Sequence, residues 1–224
     1  MRNAFVAAVL AATGIFATSA HAADGSLSKV DAGLTVGTLG YGPQVGFTLV
    51  PNKFDARLNF GYLNYSYNTT SNGVYYNGHL KLNNLGLLGD WHPWAGSFRL
   101  TGGLFYNDNK FDLTGQATNG TFTFNGVTYT AAQAGSVTAH VSFDSVAPYI
   151  GFGWGDNSDS AGLHFTSDFG VMYQGRPKAS ITATGAASNP QLASDVRAAQ
   201  SKLQSDLNNF QWYPVVQLGV VYRF

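Results

Sequence analysis

The chain contains no cysteine and no glutamate: every one of its acidic residues is an aspartate. Without cysteine it can form neither a disulfide nor a thiol nucleophile, and no lipobox is present to carry a lipid anchor. Without glutamate, the acidic stretch Asp156-Asn-Ser-Asp159 lacks the bidentate ligand that closes an EF-hand, and reads as a solvated turn. Charge is scarce. Only 11% of the residues are charged, with formal net charge zero, where a soluble domain carries about 25%. This points to a large surface that does not meet water. No basic patch or nucleic-acid motif is visible, which sets nucleic-acid partners aside. Long apolar runs are also missing: the stretch from Ala4 to Phe16 is too short to span a bilayer as a helix.

That stretch follows Arg2 and precedes Ala20-His-Ala22, a small-x-small cleavage site, so residues 1–22 read as a secretory signal peptide and 23–224 as one mature domain. Behind it, the chain alternates. Counting back from Phe224, the residues Tyr222, Val220, Leu218, Val216, Pro214 and Trp212 share one face of a strand, while Arg223, Val221, Gly219, Gln217 and Tyr213 take the other. The same pattern recurs over Val30–Gly37, Gln44–Leu49, Phe54–Tyr62, Tyr76–Trp91, Phe98–Tyr106, Val146–Trp154 and Leu163–Tyr173. Exported chains without a membrane helix can cross a bilayer only as closed barrels. The expected fold is therefore all-β: an eight-stranded antiparallel up-and-down transmembrane barrel with both termini periplasmic. Short links after strands two, four and six, against long ones after five and seven, agree with that orientation.

In the fourth strand Leu80 and Leu82 have one parity and Leu85, Leu87 and Trp91 the other, which predicts a β-bulge at Asn83-Asn84 and an inward Lys81. Asn125-Gly126 predicts a hairpin too short to cross a membrane, an extension above the rim; counting its arms as spanning gives a ten-stranded alternative. Asn189-Pro190 pairs an N-cap with a first-turn proline, and Leu192, Val196, Ala199, Leu203, Leu207 and Phe210 then recur at three and four, predicting an amphipathic helix in the last extracellular loop. Its apolar face needs a partner: the barrel mouth, the outer leaflet or another molecule. Trp91, Trp94, Trp154, Tyr222 and Phe224 fall at periplasmic strand ends. Tyr65, Tyr67, Tyr106, Tyr173, Trp212 and Tyr213 fall near the outer ends, so that the aromatics make two interfacial girdles.

The alternation turns Asp31, Asp55, Arg57, Asp90, Arg99, Asp168 and Arg223 inward. Charges in a narrow barrel must pair or meet water, and eight strands enclose a space about wide enough for side chains to fill. A salt-bridged plug is the expectation. A charged constriction in a narrow pore is the alternative, for which inward glycines leave some space. His164, Thr166 and Asp168 share a face, but strand neighbours on one face lie about 6 to 7 Å apart and Ser167 points away, so no hydrolytic constellation forms. His79, His92 and His140 lack metal-ligand spacing, and His92, before Pro93, reads as a turn residue. No enzyme activity, cofactor or metal is expected.

Val36-Gly-Thr-Leu-Gly40, Leu88-Gly-Asp-Trp-His-Pro93, Phe98-Arg-Leu-Thr-Gly-Gly-Leu-Phe-Tyr106, Ala147-Pro-Tyr-Ile-Gly-Phe-Gly-Trp154 and the strand Tyr213–Phe224 together resemble the small eight-stranded outer-membrane barrels. The resemblance is to a largely uncharacterised outer-membrane family and, more distantly, to the OmpA transmembrane domain, OmpX, opacity proteins and OmpW. It implies a Gram-negative outer membrane, contact with its lipid and lipopolysaccharide, and recognition of the last strand by the barrel-assembly machinery through Phe224, Tyr222 and Val220. It implies no reaction. The expected role is a structural or surface-interaction barrel acting through its outer loops, about 107–141 and 174–209. The alternative is a narrow pore or an OmpW-like path for small, hydrophobic molecules gated by the loop helix.

Overall fold

The computed structural model describes residues 29–71, 73–117, 119–155 and 160–224; the expected signal peptide and the stretch 156–159, read above as a solvated turn, lie outside them. Eight strands close a ring: β1 (Val30–Gly37), β2 (Gly40–Val50), β3 (Phe54–Ser71), β4 (Val74–Trp91), β5 (Phe98–Asn107), β10 (Val146–Gly155), β11 (Gly162–Tyr173) and β13 (Trp212–Arg223). Each pairs antiparallel with its neighbour, and β1 closes on β13 in continuous register from Asp31↔Arg223 to Gly37↔Gln217. Closure leaves the ring no free edge. The ends of β1 and β13 share one rim, called here the near rim; the long excursions leave from the far rim.

Alternation is unbroken along β4. Its even residues from Leu82 to Asp90 are buried and its odd ones from Leu85 to Trp91 are largely outward, in continuous register with β3 from Phe54↔Trp91 to Ser71↔Val74. The predicted bulge at Asn83-Asn84 is absent. At that point β4 instead changes partner, from β5 (Asn84↔Asn107) to β6 (Lys110–Ala117, starting at Lys81↔Lys110). Leu80 and Leu82 lie on the lumen face because that face turns apolar above the ring, and Lys81 points outward. The register irregularity of the wall lies between β2 and β3, at Thr48/Val50.

Beyond the far rim, β3 and β4 continue as a hairpin and anchor a sheet that runs through β6, β9 (Ser136–Ser142) and β12 (Lys178–Ala183). The predicted hairpin is β7 (Thr121–Phe124) and β8 (Val127–Thr130), turning through Asn125 (φ 50°) and Gly126 (φ 82°). It pairs only with itself, which removes the ten-stranded alternative. A short helix α1 (Ala131–Ala134) follows; the second, α2 (Pro190–Leu207), starts where Asn189 Oδ1 accepts from the Leu192 amide at 3.1 Å.

The first half of the apolar face of α2 is covered by this chain, whereas Phe210, just past its end, is exposed. Leu192 and Val196 pack with Phe122, Phe124, Tyr129, Val74, Val137 and Ala183 in a core of their own, apart from the barrel. Two glutamines of α2 also cap the open edge of β12: Gln204 Oε1 accepts from the Ala179 amide at 2.9 Å, and Gln200 Oε1 from the Ile181 amide at 3.1 Å. An uncapped edge strand is a template for foreign chains, and the helix removes it. Tyr65 and Tyr67 sit opposite Leu80 and Gly78, with the parity of Arg57 and Asn59. They stand on the lumen-side face of this far sheet rather than in an outward girdle.

Candidate functional site

The lumen carries two layers. In the half toward the near rim, Arg57 on β3 reaches across to Asp168 on β11, four strands away round the ring, with Nη1 and Nη2 at 3.0 and 2.9 Å from its carboxylate. The same guanidinium engages Asp90 on β4 through Nε and through Nη2 at 2.9 Å. Arg99 on β5 completes the quartet, Nη2 lying 2.9 Å from Asp168 Oδ1 and Nε 3.6 Å from Asp90 Oδ1. All four side chains are buried. Two guanidiniums balance two carboxylates, which is the condition for holding charge away from water. Neutral donors and acceptors occupy several of the remaining valences: Thr101 donates to Asp90 at 2.6 Å, Gln44 accepts from Arg57 at 3.1 Å and Thr166 accepts from Arg99 at 2.6 Å.

The other inward charges form a second tier at the near rim. Arg223 Nη2 lies 3.7 Å from Asp31 Oδ2, its register partner across the β1–β13 seam. Asp55 takes His92, the residue read as belonging to a turn. His92 is in the 92–97 turn, but it is buried, with Nε2 2.9 Å from Asp55 Oδ2 and Nδ1 2.9 Å from the Gly96 carbonyl. Both partners are acceptors, so both ring nitrogens must carry hydrogen and the ring is held as an imidazolium. The hydrogen bond to Asp55 accordingly raises its pKa above the usual value. A raised basic pKa stabilises the fold fully below the unfolded value, about 6.5, and that increment is lost as pH rises through the folded value. The urea midpoint of the wild type is expected to fall across this window, whereas in His92→Gln it stays flat; parallel pH profiles for the two proteins would refute the charged ring.

The layer toward the far rim is apolar. Leu39, Leu88, Phe105, Ala147, Tyr149, Met172 and Val215 form one buried cluster, with the Phe105 and Tyr149 rings edge-to-face at 5.5 Å. Leu39 comes from the tight β1–β2 turn, which folds over the mouth, while the Tyr213 hydroxyl donates to the Thr38 carbonyl at 2.6 Å. The inward glycines make room for rings rather than for a channel. A Cβ on Gly86 would stand 2.5 Å from the Phe105 ring, and one on Gly170 2.6 Å from the Tyr149 hydroxyl. Between the tiers of charge remains a cavity of about 30 Å³, lined by Asp31, Asp55, Arg57, Asp90, His92 and Arg99 among others, polar and roomy enough for water.

Asp168 is taken by the two arginines and shares Arg99 with Thr166, whereas His164 Nε2 lies 3.0 Å from the Ser160 carbonyl, so the three residues sharing that face are not joined as a relay. No group of three or more metal-ligating side chains is gathered among the described residues. On the outer wall, Trp94 meets Phe98 in a tilted pair at 5.3 Å and Phe98 meets Trp154 edge-on at 5.7 Å beside the near rim; Trp91 is also outward there. At the far rim Trp212 meets Tyr173 at 5.0 Å. Val220 and Tyr222 are outward on β13; Phe224, one residue past its end, is exposed, and its amide donates to the Val30 carbonyl at 3.1 Å.

Gln44, Thr101, Thr166 and His92 are the members of the lumen network that charge alone did not indicate. The inward parity of the first three was the available signal. Neither a protein-family model nor a curated protein matches the sequence. Solved structures do. Acinetobacter baumannii CarO2 superposes with a TM-score of 0.60 at 24% identity over 89% of this chain and 100% of that one. CarO of the same organism gives 0.57 at 23% over 88% and 98%. At that identity the likeness is one of fold, here a ring of eight antiparallel strands with one long helix near the carboxy terminus.

Proposed function

We propose that the protein is an integral outer-membrane barrel with a closed, side-chain-filled interior, acting without chemistry of its own as a scaffold that holds a folded module at the cell surface. A single observation carries this reading: the quartet of buried charges and the apolar layer above it occupy the lumen from wall to wall. The outward wall, with Leu85, Leu87, Leu104, Ile150, Phe165 and Leu218 in the open, suits lipid. In this reading the near rim faces the periplasm, with Trp91, Trp94 and Trp154 at one interface, and Trp212 lies at the other. β13, with Val220 and Tyr222 followed by Phe224, presents the outward aromatic terminus that the assembly machinery would take. Loops fixed on a rigid scaffold are where binding concentrates, and the far module is such a loop set, given its own core.

Conductance of the refolded mature protein in a planar bilayer tests the closed lumen. A barrel whose migration is heat-modifiable is expected to be electrically silent; reproducible unitary channels would replace this reading with that of a narrow pore.

A further inference from the structure

On the outward face of the far sheet, one row of cross-strand partners runs Asn64, Lys81, Lys110, Ser142, Lys178 through β3, β4, β6, β9 and β12. This row stands one outward position beyond the pair Tyr62↔Asn83, itself next to Leu85↔Tyr106. It therefore begins where the apolar wall ends. We propose that this lysine row is a docking site for the phosphate groups of an outer-leaflet glycolipid, the bisphosphorylated lipid A headgroup, an inference that rests on the outer-membrane reading above.

Three observations carry it. The cations are preorganised: Asp108 at the end of β5 receives Lys110 Nζ at 2.7 Å on one oxygen and Lys81 Nζ at 3.0 Å on the other. Those two hydrogen bonds hold its carboxyl down at about 2, so it stays ionised and the pair stays parallel over the physiological range. One carboxylate between two ammoniums leaves one positive charge, and each ammonium has further N–H donors free to turn to an anion. The side chains of Lys81 and Lys110 are 35% and 40% exposed. Lys178, 69% exposed and resting on Asp144 at 2.9 Å, lies two strands from Lys110, about 10 Å at ordinary sheet spacing, far enough to meet a second phosphate. Asp112, the acid of the next row, is taken by His140 at 2.5 Å.

The row is also one-sided. Elsewhere at the far rim, residues 38–44 and 208–217 carry no charge at all, and the 174–177 link carries only Arg176, two residues before Lys178. A general solubilising surface would have no reason to gather three of the four lysines beyond the ring, Lys202 of α2 being the fourth, in one row on one wall. A phosphate layer at that level does.

The test uses the refolded mature protein and vesicles of phosphatidylcholine containing lipid A as bisphosphate or fully dephosphorylated, with inorganic phosphate as competitor. Binding to the bisphosphate form is expected, with about a fivefold loss for each lysine removed, so about 25-fold for Lys81→Gln/Lys110→Gln and about fivefold for Lys178→Gln. Lys53→Gln, in the exposed near-rim turn, serves as the control and changes nothing. Equal binding to dephosphorylated lipid A, an unaffected double variant, or displacement by millimolar inorganic phosphate would each overturn the proposal. Cell fractionation reads the other claim by itself: absence from the outer membrane would remove the functional reading, whereas an outer-membrane protein indifferent to lipid phosphates would remove this inference alone.

Discussion

Arg57→Ala is expected to lower the stability of the folded barrel by about 3–5 kcal/mol, the cost of leaving a buried ion pair without one partner. The position is more sensitive than Arg99 because Arg57 binds both carboxylates through paired N–H groups, whereas Arg99 makes one close contact with Asp168 and a longer one with Asp90. In Arg99→Ala the two aspartates keep their main cation, and the loss should be smaller. Urea unfolding followed by tryptophan fluorescence and by heat-modified migration measures both. Replacing the quartet together, Arg57→Met, Asp90→Leu, Arg99→Met and Asp168→Leu, is expected to recover part of the loss, since paired burial of charge contributes little net stability over apolar packing. A cost below about 1 kcal/mol for Arg57→Ala would refute the account of the quartet as a strut across the lumen.

Leu192→Ala is expected to cost about 2–5 kcal/mol, and to spend it in one place. Leu192 is fully buried in the far core, which shares no buried member with the lumen cluster. The ring is closed by its own backbone ladder, so the barrel strands should keep their protection from hydrogen exchange while α2 and β12 lose theirs. Releasing α2 also removes Gln200 and Gln204 from the amides of Ile181 and Ala179, and an open β12 edge should make the variant self-associate at the far rim. Uniform loss of protection over β1 to β13 would mean that the module and the barrel unfold as one unit. That outcome would contradict the separation of the two cores.

The sequence by itself determined what depends on local periodicity and on turn chemistry. An alternation of two assigned every ring strand and the inward parity of Asp31, Asp55, Arg57, Asp90, Arg99, Asp168 and Arg223, because successive side chains on a strand must point to opposite faces. Asn125-Gly126 and Asn189-Pro190 were equally local: one supplies two positive φ angles, the other a side-chain acceptor and a proline ready for the first helical turn. Only the tertiary structure decided who meets whom. Arg57 finds Asp168 across 111 residues of chain because the stagger of a closed ring brings their levels together, and no local pattern encodes that stagger; His92 finds Asp55 across 37 because the β3–β4 register sets Phe54 against Trp91 and leaves His92 beside Asp55. The misplacement of Lys81 has the same origin. Polarity means inward along the ring, yet above the ring the lumen side becomes the apolar face of a sheet, and the rule inverts where β4 exchanges β5 for β6. Which side of a strand is wet depends on what covers it, and that is set by packing between elements distant in sequence.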